Sequence, residues 1–223
     1  MPLSNLPGPL QRLRLRHTKE SALKYISHLD LMRIWERTLR RAAIPIAYSE
    51  GFNPRPKIVS AAPLSVGYSS EAELLDIKLA RRLPPLNVVE QLSPQLPKGL
   101  RIISVEEIPL AFPSLQSQMR QSEYQVRLMT ASSPEEIRGH IEALMAKKSI
   151  PWQRLHKGKI RSYDLRPLMD TLCIEGQWDA GVILGMRLQL SSQATGRPDD
   201  VLEALGYQED ILSIHRTRLI WDD

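Results

Sequence analysis

The feature that most constrains this chain is the order in which two hydrophobic periodicities follow one another. QRLRLRH (11–17) alternates Leu13 and Leu15 with Arg12, Arg14 and Arg16, the period-two signature of a half-buried strand. It predicts an exposed row of three arginines. ALKYIS (22–27) continues as a strand end or hairpin return. SHLDLMRIWERTLRRAAIP then changes period: Met32, Trp35, Leu39 and Ala42 recur at three- and four-residue spacing, the buried stripe of an amphipathic helix. Ser27 and Asp30 fit a capping box that opens it, and Pro45 ends it. KIVSAAPLSVGYSS reads as a strand broken by Pro63, EAELLDIKLA (71–80) as a strand, PPLNVVEQLSPQL (84–96) as a short helix and GLRIISVEEIP (99–109) as a strand. The order β-α-β-β-α-β is that of a ferredoxin-like domain.

LAFPSLQSQMR (110–120) has little periodicity and reads as a linker, after which the order begins again. SEYQVRLM (122–129) alternates as a strand. SPEEIRGHIEALMAKK (133–148) is a helix with Ser133 as its cap, Pro134 in its first turn and acids leading into terminal lysines. WQRLHKGKIRSYDLRPLMDTLCIEG offers two or three strands around Gly158, and DAGVILGMRLQLS (179–191) offers one more. RPDDVLEALG (197–206) is a short helix closed by Gly206, and ILSIHRTRLIW (211–221) is a last strand. The expected class is α+β: two tandem ferredoxin-like halves, the second less regular. The expected boundaries are a flexible tail at 1–10, an N-terminal domain at 11–109, a linker at 110–120 and a C-terminal α/β domain at 121–223.

A content of 42% apolar and 25% charged residues suits a globular chain of 223 residues. No apolar run is long enough to span a bilayer, and MPLSNLPGPLQ lacks the basic and apolar regions of a signal peptide, so a bacterial, cytoplasmic protein without a membrane partner is expected. Cys173 is the only cysteine; it excludes an intramolecular disulfide and a multi-cysteine iron–sulfur site, and its apolar neighbours predict a small buried side chain. Neither G-x-G-x-x-G nor a phosphate-loop pattern is present, and the five histidines lack metal-ligand spacing. No cofactor or metal is therefore expected in this chain. Charge is unevenly distributed: residues 1–60 hold eleven Lys/Arg against four Asp/Glu, whereas the rest holds nineteen against twenty-one. That asymmetry points to a polyanion, set against a merely solvated basic face.

Four polar groupings carry the candidate chemistry. His28 with Asp30 and Arg33 marks the first helix start, with Arg37, Arg40 and Arg41 further along the same helix. YSEGFNPRPKI (48–58) places Asn53, Arg55 and Lys57 on a loop that Pro54 and Pro56 stiffen, so its cations are held ready for a partner. GKIRSYDLRP (158–167) sets Lys159, Arg161 and Arg166 around Asp164. TGRPDD (195–200) and HRTRL (215–219) could join Arg197 to His215 and Arg216 in an anion cradle. The plainer readings are helix capping, a rigid turn, an internal ion pair and surface charge. A 5% aromatic content argues against an extended base-stacking platform.

The segment from Tyr25 to Ile77 carries S-H-L-D-L-x-R, A-x-x-P-x-x-Y-S-x-G-F-N-P-x-P and P-L-x-V-G in succession, and so resembles the radical SAM-linked protein family, catalogued as a domain of unknown function. KGKIRSYDLRPLM, RPDDVLEAL and IHRTRL are similar to that family's later motifs, so the resemblance spans 11–221; QATGRP departs from it. The resemblance implies a partner: a radical SAM protein, which would carry the iron–sulfur cluster and S-adenosylmethionine. The resulting reading is a non-catalytic accessory module that presents an RNA or ribosomal substrate through the basic helix and the Pro-rich loop. The alternatives are a metal-independent RNA-processing enzyme with His28 as general acid or base, similar in fold to CRISPR repeat endonucleases, and a purely structural interaction domain.

Overall fold

The computed structural model describes residues 8–156, 158–191 and 194–222; residues 1–7 of the expected tail lie outside them. The chain divides into two compact units, Met1–Gln118 and Met119–Asp223. In the first, β1 (Gln11–Lys19), α1 (His28–Arg41), β2 (Ile58–Ser60), β3 (Ser69–Leu79), α2 (Pro85–Leu92) and β4 (Ile102–Ile108) follow in order. The strands pair antiparallel as β4-β1-β3-β2, the ferredoxin-like arrangement. Leu13, Leu15, Leu75 and Ile77 point to one face of the sheet and share a core with Trp35 and Leu39 of α1 and Val88 and Leu92 of α2. Each such side chain, fully buried, contributes on the order of 1.5–3 kcal/mol.

The opposite sheet face departs from the expected arginine row. Arg12 and Arg14 are each only 4% exposed. Both guanidiniums hold Asp76 on β3: Arg12 through Nε at 3.0 Å and Nη2 at 2.5 Å, Arg14 through Nε at 2.9 Å. Arg12 also donates to the carbonyls of Phe112 and Pro113, and Arg14 to Gln118 Oε1. The stretch read as a linker thus supplies acceptors to this face and contains a short helix, α3 (Leu115–Gln118). Arg16 alone of the three remains partly exposed. Residues 21–25, read as strand-like, form a 3-10 turn instead, and Ser27 caps α1 by accepting from Asp30 N–H.

The second unit repeats the pattern with β5 (Met119–Met129), α4 (Pro134–Met145), β8 (Met169–Trp178), β9 (Gly181–Gln189), α5 (Pro198–Leu205) and β10 (Ile211–Trp221), the sheet ordered β10-β5-β9-β8. A separate hairpin, β6 (Pro151–His156) with β7 (Lys159–Asp164), is inserted between α4 and β8. The fold is α+β, two ferredoxin-like units in tandem, the second enlarged by this hairpin. Ser133 and Glu136 close a reciprocal capping box on α4, and Gly206 takes the left-handed conformation (φ 86°) that ends α5. Cys173, expected to be buried, is exposed: on β8 its neighbour Leu172 takes the inward position, and alternation turns Cys173 outward. Partial burial and the nearby Glu175 push its thiol pKa up, the reverse of nucleophile activation. Among the described residues no helix is long and apolar enough to cross a membrane.

Candidate functional site

The first unit carries a groove of about 640 Å³ between α1 and the loop that follows it. Its construction begins at the helix end. Ala43 adopts φ 53°, its N–H donates to Arg40 O, and Ile44 N–H donates to Leu39 O, which is a Schellman closure. The turn sends the chain back along α1. Ala47 then joins the sheet edge through Lys78, and the loop is cinched where Ser49 N–H donates to Arg55 O (2.8 Å) and Arg55 N–H donates to Ser49 Oγ (2.9 Å). Gly51, at φ 115°, turns the tip beyond that clasp, where Phe52 is wholly exposed.

Apolar residues of α1 (Leu29, Met32, Leu39), of the returning chain (Ile46) and of β2 (Ile58) line the groove together with Tyr48, Pro54 and Pro56. Three guanidiniums edge it: Arg33, Arg40 and Arg55; Glu36 is the one carboxylate among the lining residues. Arg33 is held by Asp30 at 2.9 Å in an exposed pair, and Asp30, accepting from Ser27 and Arg33, has its pKa lowered. Of the other predicted residues here, Arg37, Asn53 and Lys57 do not line the groove; Arg37 and Asn53 are exposed beside it. His28 does not line the groove, although its neighbour Leu29 does. Its pKa is lowered, chiefly by burial, with Glu73 acting upward and Lys19 downward, and both of those residues are buried.

In the second unit, Arg161 and Arg197 line one pocket, so the third and fourth groupings partly merge. Arg166 does not join them: its guanidinium donates to Met145 O at the end of α4 and to Met169 O. Asp164 accepts from the backbone of Ile150 and Arg166, which lowers its pKa. Lys159 is exposed and lies off the pocket, as does His215, while Arg216 is 1% exposed on β10. Sequence reading missed Arg154 and Tyr163 in this pocket, the buried Asp200 that accepts from both, and Leu29, Met32 and Tyr48 in the groove. The turn signal at Gly158 could have placed Arg154 opposite Arg161; nothing local marks Asp200. Among the described residues no group of three or more His, Cys, Asp or Glu is placed to hold a metal ion.

Fold and geometry together define a tandem ferredoxin-like protein with a basic groove in its first unit and an arginine-lined pocket in its second. The chain belongs to a bacterial family, DUF2344, described as an uncharacterized protein conserved in bacteria, whose sequence pattern matches residues 12–198. Comparison with curated proteins finds no match. Among solved structures, a crystal structure of a Cbf5–Nop10–Gar1 complex superposes with a TM-score of 0.53 at 11% identity, over 100% of this chain and 56% of that one. An H/ACA RNP bound to a substrate RNA containing 2'-deoxyuridine gives a TM-score of 0.49 at 10% identity, over 95% of this chain and 49% of that one. The chain therefore spans about half the length of the chains it matches. At these identities the likeness is one of fold.

Proposed function

We propose that this chain is a non-catalytic accessory module that holds single-stranded RNA in the groove beside α1 for a radical SAM enzyme, which brings its own cluster and S-adenosylmethionine. The observation that carries the RNA reading is the groove's composition: Arg33, Arg40 and Arg55 edge an apolar floor, with Tyr48 in the wall and Phe52 at the tip. Cations that track phosphates beside aromatic faces that stack bases are what a single strand requires. Of the chain's few aromatic residues, Tyr48 lines the groove and Phe52 is exposed on the same loop. The radical SAM partner is supported by the sequence resemblance of residues 25–77, and the absence of His28 from the groove's lining disfavours an RNA-cleaving role for it.

Fluorescence anisotropy with a short single-stranded RNA tests this reading. The wild type should bind at low salt, and Arg40→Ala/Arg55→Ala should weaken binding at least about tenfold, since two charge-assisted contacts are lost. Absence of binding at low salt, or equal binding by the variant, would sink it. Co-purification with a radical SAM protein encoded alongside tests the partner separately: no complex, with or without RNA, would remove that half of the proposal.

A further inference from the structure

The second unit contains a pocket of about 610 Å³ whose lining holds three arginines against a single carboxylate. Its walls are the inserted hairpin, which contributes Arg154, Arg161 and Tyr163, and the stretch before α5, which contributes Thr195 and Arg197. In the hairpin register Arg154 lies directly opposite Arg161. Like charges facing each other across an antiparallel pair destabilise it.

Only one of the two is compensated. Arg154 Nη1 donates to Asp200 Oδ1 at 2.5 Å, and Tyr163 O–H donates to Asp200 Oδ2 at 2.7 Å. Asp200 is 3% exposed, so this buried carboxylate has one partner on each oxygen. Asp164, the one acid among the residues that line the pocket, is committed to the backbone amides of Ile150 and Arg166. Among the described residues, Arg161 and Arg197 make no ion pair or side-chain hydrogen bond. Burial and Asp200 push the Tyr163 phenol up, so it stays neutral and adds no negative charge.

Two uncompensated guanidiniums and a third locked in place by a buried carboxylate form a preorganised receptor for a doubly charged anion. A phosphate monoester carries about −1.5 to −2 charges near neutral pH and three acceptor oxygens, and guanidinium forks match its geometry bidentately. The Ser162 hydroxyl supplies a further donor, whereas those of Ser191 and Thr195 donate to the carbonyls of Ala194 and Ser191; Pro167 and Leu168 form an apolar wall for whatever the phosphate is attached to. The volume suits a ligand the size of a mononucleotide. We propose that this pocket binds a phosphate monoester, with Arg161 and Arg197 grasping the phosphate oxygens and Arg154 fixed by Asp200 as the third cation. The monoester is either that of a free mononucleotide or the 5′-terminal phosphate of an RNA.

Calorimetry on the full chain separates the cases, using 5′-AMP, adenosine, and one short RNA with either a 5′-phosphate or a 5′-hydroxyl. The proposal requires that 5′-AMP or the 5′-phosphorylated RNA bind better than its unphosphorylated counterpart by at least about tenfold. Arg161→Ala/Arg197→Ala should erase that preference without lowering the ligand-free melting temperature, since removing Arg161 relieves its repulsion with Arg154, and Arg161→Lys/Arg197→Lys should restore the preference in part. A preference seen with 5′-AMP assigns the pocket to a free nucleotide; one confined to the RNA assigns it to an RNA end. The groove variant Arg40→Ala/Arg55→Ala should keep the preference, so failure of the RNA reading for the first unit leaves this result standing. No phosphate preference in either pair of ligands, or a preference that survives in the double alanine variant, overturns the proposal.

Discussion

Asp76 shows how far a single residue's role depends on what surrounds it. It is one acidic side chain in a strand, yet it is the ion-pair partner of two guanidiniums that are each 4% exposed. Asp76→Ala should destabilise the protein by about 3–5 kcal/mol in chemical denaturation, because two buried cations lose their counter-charge. Arg33→Ala, which breaks an exposed pair with Asp30, should change stability by less than about 1 kcal/mol. The alternation of QRLRLRH was legible and correctly placed Leu13 and Leu15 in the core. That Arg12 and Arg14 would be covered was not, because the carbonyls of Phe112 and Pro113 that receive Arg12 come from a hundred residues away. His28 belongs to the same scale. Its folded-state pKa lies below the ordinary histidine value, so the unfolded chain takes up its proton first as pH falls. The stability this residue contributes is complete above that value and is lost as pH drops through the folded pKa. His28→Gln should therefore flatten the pH dependence of unfolding as pH falls below the ordinary histidine value of about 6.5.

Among the elements, the C-terminus of α1 decides where the groove lies. Its Schellman closure uses Ala43 at φ 53°, where a side chain costs roughly 1–2 kcal/mol that glycine would not. Ala43→Gly should raise stability by about 0.5–1 kcal/mol after allowing for glycine's greater freedom in the unfolded chain, measured as a higher denaturation midpoint at unchanged slope. A lower midpoint would mean that the Ala43 side chain, which lines the groove, contributes packing there. Pro45 predicted the helix end, but the left-handed turn at Ala43 has no glycine to announce it. At α4 the signal was complete, since Ser133, Pro134 and Glu136 are all local; Ser133→Ala should cost about 1 kcal/mol of stability. The hairpin β6–β7 was visible as strands around Gly158, whereas its pairing with the first turn of α5, through Arg154 and Asp200, was not.

At the scale of the whole molecule, the net charge of +5 understates the electrostatics, because arginines outnumber carboxylates three to one in the lining of both the groove and the pocket. If the three groove arginines each meet a phosphate, the logarithm of RNA affinity should fall against the logarithm of salt concentration with a slope near about −2. A slope near zero would place the contacts on the apolar floor instead.

The sequence by itself determined the succession of elements, the ferredoxin-like order in each half and the stiff cationic loop, since these depend on periodicity, caps and prolines within a few residues of one another. Tertiary structure decided which cations are available. Arg12, Arg14, Arg166 and Arg216 are buried or engaged, while Arg40, Arg55, Arg161 and Arg197 border open cavities. The physical reason is that a charge is free or spent according to acceptors brought to it by strand register and chain return, and those acceptors lie tens of residues away in the sequence.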